Sequence, residues 1–189
     1  MRPLQALAMV LILGASTIPC AAQVSLGINA VYADPNGSDF DGTNAGYGLQ
    51  GQVQFPLGSS FSVGFGGQWT SHGLQGLSEN LSVVGGFAEP RYTFTTKSAQ
   101  LKPYLTGAVF YLHESVSSGG NSATANGFFF GGGGGVLIPA GATLSVDLSA
   151  FFGPLNFGDA KVNGSTFSGS STSGTGLEIR AGILVGLAK

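Results

Sequence analysis

Beyond residue 22 the chain holds no continuous run of the ~20 apolar residues that a helix needs to cross a bilayer. Yet only 8% of its residues are charged, against about 25% in an ordinary soluble domain. A surface so poor in charge does not keep a protein dispersed in water. In hydrocarbon, only helices and closed β-barrels satisfy every backbone polar group. With the helix excluded, the composition points to a barrel. The 33 glycines argue the same way, because Gly disfavours a helix by about 1 kcal/mol relative to Ala.

The first residues read differently. Arg2 gives a positive start, Leu4 to Leu13 form an apolar stretch too short to span, and Cys20-Ala21-Ala22 supplies small residues at a cleavage site. Residues 1–22 are expected to be a secretory signal peptide, and residues 23–189 the mature barrel. Pro19 stands where a lipoprotein signal needs Gly or Ala, so Cys20 is not expected to be lipidated. Cleavage after Ala22 removes the only cysteine, and the mature chain then has neither a disulfide nor a thiolate ligand.

The mature region alternates strand-like and loop-like segments, and its clearest strands have a period of two. Val24, Leu26, Ile28, Ala30 and Tyr32 oppose Ser25, Gly27 and Asn29. Tyr47, Leu49, Val53 and Phe55 oppose Gln50, Gln52 and Gln54. The same pattern marks residues 61–69, 144–152 and 177–187. Residues 81–94 change phase, which predicts a bulge near Gly85-Gly86. Residues 101–113 are apolar on both parities, and 127–138 contain Phe128 to Phe130 followed by Gly131 to Gly135. Connections at 33–45, 71–80, 114–126 and 154–176 are predicted to be long, and those at 56–60, 95–100 and 139–142 short. Outer-membrane barrels show this alternation, with the long loops outside. The expected fold is an all-β, antiparallel, up-and-down transmembrane barrel of eight strands, with both termini periplasmic.

The polar face of each clear strand is Gly, Ser and Gln, which suits a narrow interior. The apolar face ends in aromatics: Tyr32, Tyr47 and Trp69 at the expected outer rim, and Phe55, Phe61, Tyr92 and Tyr104 at the inner one. Most mature charges fall in loops. Six do not: Glu89, Arg91, Lys102, Asp147, Glu178 and Arg180. A base facing lipid at mid-bilayer costs about 2–4 kcal/mol, so these six are expected inside, paired as a network. Glu89/Arg91 and Glu178/Arg180 each share a face by their spacing of two.

Sites for other chemistry are weak. His113-Glu114-Ser115 slightly resembles the His-x-Ser element of outer-membrane lipid A deacylases, but Glu114 points away from His113 on a strand. Two separated histidines, His72 and His113, do not make a metal site. Gly131 to Gly135 lacks the Lys-Ser/Thr of a phosphate loop. There is no basic patch for nucleic acid. No enzyme activity and no cofactor are expected.

The C-terminal run Arg180-Ala181-Gly182-Ile183-Leu184-Val185-Gly186-Leu187 resembles the outer-membrane insertion signal. Arg180, Gly182, Val185 and Leu187 match it, while Ala188-Lys189 replaces the usual terminal aromatic. With the signal peptide and the loop alternation, the mature chain resembles the small outer-membrane barrels of the OmpA-type transmembrane domain, OmpX and Opa kind. That resemblance implies a non-enzymatic barrel whose surface loops serve a structural, adhesive or protective role. It also implies partners in membrane lipid, lipopolysaccharide and the barrel-assembly machinery. The alternatives are a narrow porin-like channel and, further off, a lipid A-modifying barrel enzyme.

Overall fold

The computed structural model describes residues 23–76, 78–96 and 100–187. The expected signal peptide, Lys97 and the Ala188-Lys189 tail lie outside the described residues. Eight long strands form one closed antiparallel sheet: β1 (Ser25–Asn36), β2 (Thr43–Pro56), β3 (Phe61–Leu74), β4 (Asn80–Thr93), β5 (Lys102–Ser118), β6 (Asn121–Pro139), β7 (Leu144–Phe157) and β10 (Thr172–Gly186). Between β7 and β10, the short strands β8 (Lys161–Val162) and β9 (Ser165–Thr166) make a small hairpin that pairs with β6. Successive staves are neighbours. β10 pairs with both β7 and β1, which closes the ring and leaves the eight staves no free edge.

The period of two sorts the side chains. Leu26, Ile28, Leu49, Phe65, Leu105, Val109, Phe130, Phe152, Ile179 and Ile183 all face outward and are exposed. They form an apolar band around the barrel. Tyr32 and Tyr47 meet edge to face at its upper border, with ring centroids 5.4 Å apart. Nearby, the Trp69 indole N–H donates to Ser82 Oγ. At the opposite border Phe61 pairs in register with Tyr92. Tyr104, expected in that lower girdle, is instead buried inside the barrel.

Three sequence expectations change. No bulge occurs at Gly85-Gly86, because the β3–β4 register runs unbroken from Phe61↔Tyr92 to Gly73↔Asn80. The apparent phase change arises because Val83 and Phe87 face inward, beside Glu89 and Arg91. Residues 114–126 are not a long loop. β5 and β6 continue to a two-residue turn, Gly119-Gly120, both at positive φ. Two successive positive-φ residues suit the right-handed twist of a hairpin, and glycine takes that conformation freely. β5 and β6, at 17 and 19 residues, overrun the ~9–11 residues that span a bilayer. Their apolar signal stops where the band stops, but the hydrogen-bonded ladder does not. Finally, the Gly/Ser/Thr-rich stretch from Asn163 to Gly176, whose composition predicts a mobile loop, is tied to its neighbours by hydrogen bonds. Asn163 N–H donates to Ser122 O, Phe167 N–H to Ala160 O, and Ala160 N–H to Ser170 Oγ.

Candidate functional site in the barrel lumen

Inward parity brings side chains from all eight staves into one space, and they separate by character along the axis. In the middle lie the charges. Glu89 on β4 accepts from two guanidinium groups, Arg91 Nη2 at 2.9 Å and Arg180 Nη1 at 2.7 Å. Arg91 Nη1 reaches Asp147 Oδ2 on β7 at 3.0 Å. Arg180 Nε donates to Glu178 on its own strand. Gln68 Nε2 donates to Glu178 Oε2 at 3.0 Å, and Tyr104 OH to Asp147 Oδ1 at 2.5 Å. Thr106 Oγ1 adds a bond to Glu89.

These contacts make one chain: Gln68–Glu178–Arg180–Glu89–Arg91–Asp147–Tyr104. It crosses the lumen, because β4 and β10 are not neighbours in the sheet. Every member is buried. Charges this far from water are costly unless paired and hydrogen-bonded, and each ion here has at least two partners. The two guanidinium planes also stack on rings. Arg91 Cζ lies 3.9 Å from the Tyr104 centroid, and Arg180 Cζ 4.0 Å from that of Phe151. A planar guanidinium makes such contacts more readily than an ammonium.

Above the charges, towards the β5–β6 hairpin, the lumen is apolar. Val83, Phe87, Phe110, Leu112, Phe129, Phe151, Leu155 and Phe157 form one buried cluster. Phe87 stacks on Phe110 at 5.0 Å. Below the charges lie amides and hydroxyls. Asn29 donates to Gln50, and Gln54 to Ser62. They lead to an open vestibule of about 220 Å³ at the end where Val24 and Leu187 meet.

The architecture has known counterparts. Neisserial surface protein A superposes with a TM-score of 0.63 and 22% identity, over 87% of this chain and 97% of that one. A major outer membrane protein from Thermus thermophilus gives 0.56 and 14%, over 88% and 100%. Outer Membrane Protein W of E. coli gives 0.53 and 11%, over 87% and 98%. This is the fold of the small eight-stranded outer-membrane barrels. No family model matches the chain, and a search of curated proteins finds no relative.

Within this outer-membrane barrel fold, five of the six expected interior charges meet: Glu89, Arg91, Asp147, Glu178 and Arg180. Lys102 does not join them. It sits at the start of β5 in the wall of the vestibule, exposed, with no ion pair among the described residues. Its parity is inward, but the lumen has already opened to solvent at that level. His113 faces outward, with Nδ1 2.8 Å from Asn126 Oδ1. Glu114 lies on the opposite, inward face, so the two do not share a site. His72 is buried in the upper lumen, between Thr70 Oγ1 and the Asn44 carbonyl.

Sequence reasoning missed Tyr104, Gln68 and the inward phenylalanines. Their signal lay in the glycines. A Cβ on Gly66 would stand 2.7 Å from the Phe87 ring, and one on Gly131 2.8 Å from the Phe129 ring. Inward glycines mark places where a large neighbour needs the room. At the hairpin end, Ser118 Oγ donates to Glu79 at 2.7 Å, which holds that carboxyl below its ordinary value.

Proposed function

We propose that this chain is an integral barrel of a bacterial outer membrane, closed through its lumen, that acts through its outer end rather than as a pore or an enzyme. The observation that carries this reading is the strut from β10 through Glu89 to β7, roofed by the phenylalanine cluster. An eight-stranded barrel has room only for side chains or one small ligand, and these side chains occupy it. The exposed apolar band with aromatic borders supports a membrane position. In this reading the termini and the vestibule face the periplasm, and the 37–42, 75–79 and 158–171 connections with the Gly119-Gly120 turn face outside. Arg180, Gly182, Val185 and Leu187 serve as the insertion signal read by the barrel-assembly machinery. Val185 and Leu187 are exposed on the outer face, where such a reader has access. Membrane lipid and lipopolysaccharide are the partners of the band. His113 faces outward beside Asn126, on the opposite side of the wall from Glu114, an arrangement in keeping with a non-catalytic role.

Planar-bilayer recording tests the closed lumen. The purified barrel is expected to show no steady ohmic steps. Reproducible steps that change size when Arg91 or Arg180 is altered would replace this reading with a narrow channel.

Cysteine labelling on intact cells tests the orientation. An impermeant maleimide is expected to reach Ser118→Cys and not Ala140→Cys. The reverse pattern would invert the barrel.

A further inference from the structure

Above the charged strut the lumen keeps a pocket of about 70 Å³, half open towards the hairpin end. Phe110, Phe129 and Leu155 line its deeper part, and Phe40, Leu81 and Glu114 stand nearer its mouth. At about 10–15 Å³ for each water-sized group, it accepts a chain of about five heavy atoms. Four ionisable side chains belong to residues of the lining: Asp34, His72, Glu114 and Glu178. Three of them are committed. Glu178 holds Arg180 and Gln68. His72 lies between Thr70 Oγ1 and the Asn44 carbonyl. Asp34 takes the outward parity of β1 and bonds with Tyr32. Glu114 has no hydrogen bond and no ion pair among the described residues.

The surroundings of Glu114 make that arrangement costly. Its in-register neighbours on β4 and β6 are Val83 and Ala125, both buried and apolar. His113, next in sequence, lies on the other side of the wall. An ionised carboxyl against apolar walls is unfavourable until it gains a counter-charge. Glu114 is nevertheless only half-buried, and its oxygens keep accessible surface, so a solute entering the mouth can reach them. A carboxylate only accepts hydrogen bonds, and it accepts them most strongly from a cationic donor. Deeper in, the pocket offers apolar side chains and charges already paired. Ligand sites are largely apolar with a few placed polar groups. Here the placed group calls for a cation at the mouth and the walls call for an apolar tail.

We propose that this pocket binds a small primary ammonium on a short apolar stem. The ammonium donates to Glu114 at the mouth, and the stem lies along Leu112 and Phe157 towards the phenylalanine cluster. This goes beyond the closed-lumen reading. The pocket lies above the strut, so occupancy leaves the seal in place, and binding is measured separately from conductance.

The test is a fluorine-NMR titration of the whole barrel in phosphatidylcholine nanodiscs, with barrel-free nanodiscs as the measure of partitioning into lipid. The probes are trifluorobutylammonium, trifluorobutanol and trifluorobutanoate, which share one tail. The buffer is mildly alkaline, so that the carboxyl is ionised and the amine still protonated. The ammonium is expected to bind saturably and about tenfold tighter than the alcohol, a difference of about 1.4 kcal/mol, and the carboxylate not to saturate. Glu114→Gln should bring the ammonium and the alcohol to equal affinity. Glu79→Gln, at the hairpin end, should leave the preference unchanged. Leu81→Trp, which fills the mouth, should abolish saturable binding, with Thr43→Phe as the second filling variant if the first does not fold. Ammonium signals that match barrel-free nanodiscs, or equal affinity for ammonium and alcohol in the unaltered barrel, would overturn the site. So would a preference that Glu114→Gln leaves intact, one that Glu79→Gln removes, or saturable binding that survives filling of the mouth in a folded barrel.

Discussion

Arg180→Met is expected to destabilise the barrel by about 3–5 kcal/mol, the usual cost of removing one partner from a buried ion pair. The measurement is the denaturant midpoint of reversible unfolding from lipid vesicles. A fall in the temperature at which the folded band converts on a gel is a second readout. Three contacts disappear together: the bonds to Glu89 and Glu178, and the stack on Phe151. The larger cost is what remains, because Glu178 and one oxygen of Glu89 stay buried without their cation. Arg180→Lys should recover only part of the loss, since an ammonium cannot bridge two carboxylates and lie flat on a ring at once. Adding Glu178→Gln to Arg180→Met should cost less than the two single changes summed, because each removes the same bond. Strict additivity would mean that the five charges act independently, each solvated on its own, and the strut would lose its meaning as a seal.

The barrel itself was readable because lipid imposes a strict rule on its outer face. Every outward position of β10, from Leu177 to Val185, is apolar or small, and the parity of Glu178 and Arg180 follows from it. The lumen obeys no such rule. It is charged around Glu89, apolar around Phe110 and amide-lined around Gln50, so one parity carries three kinds of side chain. That is why β5 seemed apolar on both faces, why Tyr104 was expected among lipid-facing aromatics, and why β4 seemed to need a bulge. Lys102 failed for a related reason. Parity tells which way a side chain points but not how far along the axis solvent enters. The hairpin ends were hidden because Ser117, Ser118 and Ser122 lie beyond the apolar band, where alternation no longer has a face to report.

Gly135→Val should be among the most damaging single changes in the wall, and Gly132→Val among the mildest, although both alter the same glycine run on β6. A Cβ at Gly135 would stand 2.5 Å from Tyr104 Oη and Cζ, and would also press on the Leu148 carbonyl across the β6–β7 pair. Neither neighbour has an inexpensive escape. The Leu148 oxygen belongs to the wall itself. The Tyr104 ring is fixed on one side by its bond to Asp147 and on its face by Arg91. Moving it would break a hydrogen bond to a charged group and leave Asp147 short of a donor, about 1.5–3 kcal/mol, on top of about 1–3 kcal/mol for overpacking. A loss of about 3 kcal/mol or more is therefore expected, seen as a lower unfolding midpoint and a smaller folded fraction after refolding. Gly132 lies three residues away on the opposite parity, and a Cβ there meets nothing within 4 Å. Valine at that position adds apolar surface to the outward band and a residue that favours strands, so stability should hold or rise slightly. Equal damage from the two substitutions would mean that the run is needed for backbone flexibility along β6 rather than for room on its inner side. Tyr104 would then have no special claim on the space beside Gly135.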